Sequence, residues 1–231
     1  LPYILFQSTA LLRLPNSTLY KVLNKLSPWP LYNSVVFLES RLRKQSARLT
    51  YLKDLKRDYQ EIRAWLPGRC SRVLDIGCGV AGIDVFLFQH FGLNNKMQFF
   101  FLDQTGIDKQ VFYDFHGKAS IYNSLETAKE MMTRNGIPGE NVNLFEVKDG
   151  PRIKQEAKID LAISLLSWGF HYPVSTYLDQ AHKLLRPGGV LIMDIRQGTD
   201  GRKELESRFG PSEVISSEEK KVRVRAVKSS N

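Results

Sequence analysis

The residues best placed to do chemistry lie in Val73-Leu74-Asp75-Ile76-Gly77-Cys78-Gly79-Val80-Ala81-Gly82. The segment joins a short apolar run to a helical one. Glycines at such a junction permit a tight turn and let a ligand approach the backbone closely. G-x-G-x-x-G spacing alone also suits dinucleotide sites. Asp75, in the strand end ahead of the first glycine, argues for a different ligand. A dinucleotide lays its pyrophosphate on the helix N-terminus, where a further carboxylate would repel it. A carboxylate suits a ligand with a cationic amino group and no phosphate. S-adenosylmethionine, which carries an ammonium and a sulfonium, is such a ligand.

A second segment, Ser167-Trp168-Gly169-Phe170-His171-Tyr172-Pro173, follows an apolar run over Ile159–Leu166. If that run is a strand of an open parallel sheet, the segment lies beyond its carboxyl end, where such sheets bind ligands. Trp168, Phe170 and Tyr172 would wall an acceptor site, with Trp168 and Tyr172 as substrate-binding residues. His171 titrates near neutrality and is a candidate general base for a hydroxyl. Its other reading is a hydrogen bond to a backbone carbonyl or to the substrate. His90, His116 and His182 show no partner pattern, and His182 is expected at the surface. No His/Cys/Asp/Glu spacing matches a metal-ligand set, so no metal is expected. Cys78 reads as a packed small hydrophobe.

The elements that must position these residues follow from periodicity. Residues 1–68 read as an N-terminal helical cap. It comprises a short capped helix after Asn16-Ser17-Thr18 and a long helical pattern from Tyr32 to Leu66, whose apolar positions include Leu49, Leu52, Leu55, Tyr59 and Ile62. Pro67-Gly68 stops it. Residues 69–231 alternate strands and helices. Strands are expected at Arg72–Ile76, Met97–Leu102, Val142–Val147, Ile159–Leu166 and Val190–Ile195; helices run through Phe86–Phe88 and over Tyr122–Asn135, Ser175–Leu185 and Arg202–Phe209. Val222–Val227 alternates apolar with basic residues and fits an antiparallel or edge strand. The fold class is therefore α/β: a Rossmann-like, doubly wound, mostly parallel sheet with an antiparallel C-terminal strand, behind a helical cap.

The 231 residues, 42% hydrophobic and 25% charged, suit one domain with a modest appendage and exclude wholesale disorder. Two cysteines can form at most one disulfide, which suggests a reducing compartment. No apolar run reaches the roughly 18 residues a membrane span needs, and the expected location is cytoplasmic. Lys+Arg 33 against Asp+Glu 24 gives a net charge of +9. The excess gathers between Arg41 and Arg57 and again in Lys220, Lys221, Arg223, Arg225 and Lys228. Both stretches read as solvated faces, with a partner-facing role as the alternative.

Four elements in order resemble the class I S-adenosylmethionine-dependent methyltransferases. Leu74-Asp75-Ile76-Gly77-Cys78-Gly79 is similar to the family's first motif, and Phe99-Phe100-Phe101-Leu102-Asp103 to its second strand. Asp160–Ser164 resembles the fourth strand, and Leu184-Leu185-Arg186-Pro187-Gly188-Gly189-Val190-Leu191 the helix–turn–strand that follows. The resemblance runs from about Arg72 to the C-terminus. It implies that Gly77 and Gly79 admit the methionine moiety, that Asp75 orients its amino group, and that Asp103 holds the ribose hydroxyls. Gln104 would flank the adenine, Asp149 would face its amino group or simply make a turn, and Leu165 would pack on the cofactor or the core.

Two features depart from the common pattern. Gly77 to Asp103 exceeds the spacing of about 20 residues seen in dinucleotide folds. An insertion over Gln104–Ile121, with Phe112, Tyr113, Phe115 and His116, precedes the next helix. Together with Ser167–Pro173 it is similar to a bacterial group of sugar O-methyltransferases. The resulting expectation is methyl transfer to a small polar acceptor, a hydroxyl of a sugar or glycan, with no specific nucleic-acid partner. An RNA methyltransferase and a non-catalytic binding protein are the alternatives. The first lacks an Asn/Asp-Pro-Pro-Tyr motif and a separate RNA module; the second is at odds with an intact Asp75, Gly77, Gly79 and Asp103.

Overall fold

A computed structural model describes residues 44–93, 95–107, 122–147 and 158–229. The expected helix after Asn16, the start of the Tyr32–Leu66 pattern, the aromatic insertion and Asp149 lie outside the described residues.

In chain order the elements are α1 (Lys44–Ile62), β1 (Arg72–Ile76), α2 (Gly82–His90), β2 (Gln98–Asp103), β3 (Gly106–Ile107), β4 (Tyr122–Asn123), α3 (Leu125–Arg134), β5 (Val142–Glu146), β6 (Ile159–Ser164), α4 (Leu178–Leu184), β7 (Leu185–Arg196), α5 (Gly201–Phe209), β8 (Glu213–Ser217) and β9 (Lys221–Val227). Seven strands form one sheet in the order β5-β2-β1-β6-β7-β9-β8. The first five run parallel, and β9 runs antiparallel to both β7 and β8. The chain leaves β1 toward β2 and β5, then crosses back to β6 and β7. The order thus reverses between β1 and β6, and in such sheets ligands bind outside the carboxyl ends of the strands at that reversal.

The sheet is apolar on both faces because helices cover both. Val73, Phe99, Phe101, Leu161 and Ile163 pack with Ile83 and Leu87 of α2 and Ala128 and Met132 of α3. Leu74, Ile76, Phe100, Leu102 and Ala162 pack on the other side with Ala181 of α4 and Leu205 and Phe209 of α5. Each wholly buried Leu or Phe contributes roughly 1.5–3 kcal/mol. At the amino ends of the strands, away from the glycine turn, Asp160 accepts from the Ser71 and Arg72 backbone N–H groups, the Ser71 hydroxyl and Arg186. These bonds tie the starts of β1 and β6 together.

Several expectations change. Leu49 and Leu52 are 62% and 43% exposed, whereas Leu55, Tyr59 and Ile62 pack on the core. The apolar stripe of α1 is therefore buried only toward its C-terminal end. Tyr122-Asn123 is not helical but pairs with Gly106-Ile107, and Ser124 caps α3 by accepting from the Thr127 N–H. β9 is an interior strand, because β8, which periodicity did not reveal, covers its outer side.

Of the C-terminal basic residues only Lys220 is an exposed charge; Lys221 and Arg223 are buried, and Arg225 and Lys228 are partly covered. Arg223 is 0% exposed. It makes a bidentate pair with Asp194 (2.7 and 2.9 Å) and reaches Asp58 (3.1 Å) and Glu61 (3.0 Å) of α1. Lys221, also buried, lies 3.5 Å from Asp194. Arg225 pairs with Glu213 and donates to the Trp65 carbonyl, and Lys228 donates to the carbonyls of His182 and Leu185. A fork of guanidinium donors suits several carboxylates at once, and this one fastens α1 to the sheet. Arg223→Met should lower the unfolding free energy by about 3–5 kcal/mol, since it leaves buried carboxylates without their partner. Urea denaturation measures this; a loss below about 1 kcal/mol would show that water replaces the guanidinium.

Candidate functional site

The carboxyl ends of β1 and β6 are held together by one hydroxyl. Ser164, fully buried at the end of β6, donates to the Ile76 carbonyl (2.7 Å) and accepts from the Trp168 N–H (3.0 Å). Beyond it Leu166 turns at φ 54°, its N–H bonded to Asp194 (3.2 Å). The chain then folds back, with the His171 N–H on the Ser167 carbonyl and the Arg196 N–H on the Gly169 carbonyl. This brings the Ser167–Pro173 segment against the glycine turn.

The turn itself opens with Gly77 at φ 78°. A side chain there would be strained, and it would also meet Ser167: a Cβ on Gly77 would lie 1.8 Å from Ser167 Oγ. The close approach expected from a methionine moiety is made here by a serine of the neighbouring segment. Ser167 Oγ lies 3.4 Å from the Tyr172 hydroxyl. Gly79 donates its N–H to Asp103 Oδ2 (2.8 Å), and Gln104 donates its own to Asp103 Oδ1 (2.7 Å). Asp103 at the end of β2 is thereby aimed at the turn with both oxygens oriented.

Asp75 is buried in β1, on the side of the sheet that α2 covers. Burial, then the charge of Asp84, holds its carboxyl well above the usual range. Asp84 stands in the first turn of α2, wholly buried, with its carboxyl against that of Asp75 and no donor from any other described residue on its oxygens. Burial raises its pKa too. Tyr51 of α1 closes on the same place: a Cβ on Gly82 would lie 2.3 Å from its hydroxyl. Burial and the nearby Asp84 push that phenol upward. Tyr172 is raised mainly by burial, and Tyr177, to about 12, by burial and Asp103. Asp75, Gly77, Gly79, Asp103, Gln104 and Tyr172 thus come together around one turn.

Other residues singled out by the sequence serve the core or the surface. Trp168 does not wall a pocket: it is 0% exposed, donates its indole N–H to the Val174 carbonyl (2.8 Å) and packs edge-on against Tyr177. It is a core residue because Ser164 draws its backbone inward. Leu165 packs against the core. Cys78 is buried and its thiol is raised well above the usual value. His90 bonds the Tyr59 hydroxyl (2.9 Å), and His182 packs edge-on against Phe209. Tyr51, Asp84 and Tyr177 were missed. Asp84 could have been suspected as an acid directly after a glycine turn; nothing in the α1 pattern marks Tyr51.

No protein-family model matches the chain, and no curated protein does. Solved structures do. StiE O-MT aligns over 84% of this chain and 81% of its own, with TM-score 0.54 and 13% identity. This chain has the class I methyltransferase fold. A methyltransferase from Pyrococcus furiosus aligns over 76% of this chain and 83% of its own (TM-score 0.50, 18% identity). A T. thermophilus 16S rRNA methyltransferase, RsmC, in complex with AdoMet and guanosine aligns over 77% of this chain (TM-score 0.50, 15% identity). The chain spans 42% of RsmC and 60% of another neighbour, the S-adenosylmethionine-dependent methyltransferase SibL. No helix among the described residues is long and apolar enough to cross a membrane.

His171 is set apart electrostatically. Burial, then the Arg196 guanidinium, lowers its imidazole from 6.5 to about 4. Between those values the unfolded chain binds the proton and the folded one does not, so this residue's contribution to stability is lost as pH falls from 6.5 toward 4. His171→Gln should therefore flatten the fall in urea midpoint across that window. An NMR titration placing His171 near its unperturbed pKa, about 6.5, would refute the burial argument.

Proposed function

We propose that the chain is an S-adenosylmethionine-dependent methyltransferase that acts on a small polar acceptor, a hydroxyl of a sugar or related metabolite. The observation that carries this reading is the set of carboxyls around the glycine turn: Asp75, the wholly buried Asp84 against it, and Asp103. Phosphates would be repelled there, whereas a ligand with a cationic amino end and a ribose fits the donors and acceptors present. When bound, S-adenosylmethionine supplies an already activated methyl group. The chain's part is then to bind, orient and exclude water.

Asp103, its oxygens oriented by the N–H groups of Gly79 and Gln104, would hold the ribose hydroxyls, while Asp75 receives the ammonium. Gln104 and Asp149 are the proposed neighbours of the adenine. Tyr172, beside Ser167, is the proposed acceptor contact, and His171 the group that takes or orients the hydroxyl proton. The sugar class rests on the likeness of Gln104–Ile121 and Ser167–Pro173 to the sugar O-methyltransferases. The burial of Lys221 and Arg223 and the pairing of Arg225 with Glu213 take charges out of the basic patch that an RNA substrate would use.

Calorimetry should show S-adenosylmethionine binding to the parent protein. Asp103→Ala should weaken it on the order of 30- to 1000-fold, the equivalent of two charge-assisted hydrogen bonds at about 2–4 kcal/mol in total. Unchanged affinity would defeat the ribose placement. Methyl transfer should appear with saccharide acceptors and not with RNA. His171→Ala should cut kcat by about 10²–10⁴ while cofactor affinity is kept. The ascending limb that His171 gives the pH–rate profile should lie near 4, where burial and Arg196 put its imidazole. A loss confined to KM would leave His171 a positioning role only.

A further inference from the structure

We propose that Asp84 is a second carboxylate for the ammonium end of the cofactor, and that Asp75 and Asp84 share one proton until that ammonium displaces it. The inference rests on the S-adenosylmethionine reading above and adds to it a residue and a proton.

Asp84 has no structural explanation. An aspartate in the first turn of a helix ordinarily caps it by accepting from free backbone N–H groups, yet Asp84 does not cap α2, and its wholly buried carboxyl meets the Asp75 carboxyl and its own backbone N–H, with no donor from any other described residue. A lone buried carboxylate costs several kcal/mol unless it is neutralised or paired. Among the described residues no cation does this: the groups acting on Asp75 are Asp84 and Asp103, and the phenol closing over the turn is Tyr51 of α1, near Asp75, Asp84 and Cys78. Tyr172, from the segment after β6, lies near Asp75 and Asp103. Among the described residues no three acid, His or Cys side chains converge as a metal site.

Two buried carboxyls this close cannot both ionise, and without a ligand they keep a proton between them. Burial raises both, as that sharing requires. An ammonium has three donors and one positive charge. When it meets the pair, both carboxylates can be ionised and hydrogen-bonded, and the shared proton leaves to solvent. The balance is one proton released for each ammonium bound.

Calorimetry on the full chain near pH 6.5, where an α-amino group with pKa about 7.7–8.0 is protonated, tests this in buffers of different ionisation enthalpy. For the parent protein and S-adenosylmethionine, the observed enthalpy should vary with buffer enthalpy as release of nearly one proton requires. 5′-Methylthioadenosine, which has the ribose and adenine but no ammonium, should bind with no release. That comparison needs no variant. Asp84→Asn should abolish the release, weaken S-adenosylmethionine roughly tenfold or more, and leave the unliganded protein at least as resistant to heat as the parent. Parent protein that binds S-adenosylmethionine without releasing a proton, or Asp84→Asn that releases it as before, overturns this inference and leaves the cofactor reading intact. A parent protein that does not bind S-adenosylmethionine overturns both.

Discussion

The Ser164 hydroxyl is the joint on which the site depends. It bonds the last carbonyl of β1 and receives the N–H of Trp168, so the two strands that flank the reversal of the sheet end in one buried hydrogen-bonded unit. From that joint the chain has little freedom. Trp168 goes inward, Ser167 lies over Gly77, and Tyr172 comes within reach of Ser167. A buried hydroxyl with both its donor and acceptor roles filled is rigid, because losing either bond leaves an unsatisfied group away from water.

A second joint sits behind the first. Asp194, buried at the carboxyl end of β7, accepts from the Leu166 N–H on one side and from Arg223 and Lys221 on the other. Arg223 continues the connection to Asp58 and Glu61 of α1. The same helix carries Tyr51, whose hydroxyl stands against the glycine turn. The helix that covers the acidic centre and the segment that borders it are thus fastened through one buried ionic network. Such a network is a weak source of net stability, but breaking it is costly. It acts here as a constraint on where α1 and the Leu166 turn can lie.

The acidic centre follows the opposite logic. Asp194 is matched by buried cations, while Asp75 and Asp84 are matched by none among the described residues. One set of buried carboxyls is closed on itself and the other is incomplete. Incompleteness of this kind, in a water-excluded place beside a glycine turn, is a mark of a ligand-binding centre.

Much of this protein was legible in local pattern. The strand–glycine–helix unit at Val73–Gly82, the apolar strands β2, β5 and β6, and Asp103 at the end of β2 can be read from period, apolar runs and turn residues, because these depend on neighbours close in the chain. The alternation of strands and helices carried the parallel sheet and its antiparallel last strand. What the chain folds into at long range could not be read that way. Trp168 looked like a pocket wall until Ser164 drew it into the core, and Arg223 looked like a solvated charge until β8 covered β9 and α1 brought Asp58 and Glu61 to it. Asp84 and Tyr51 carry no periodic signal, and only packing makes them face the same centre. A residue's burial and its charge partners are contributed by elements distant in sequence, so the tertiary structure alone decided which acids are satisfied and which await a ligand.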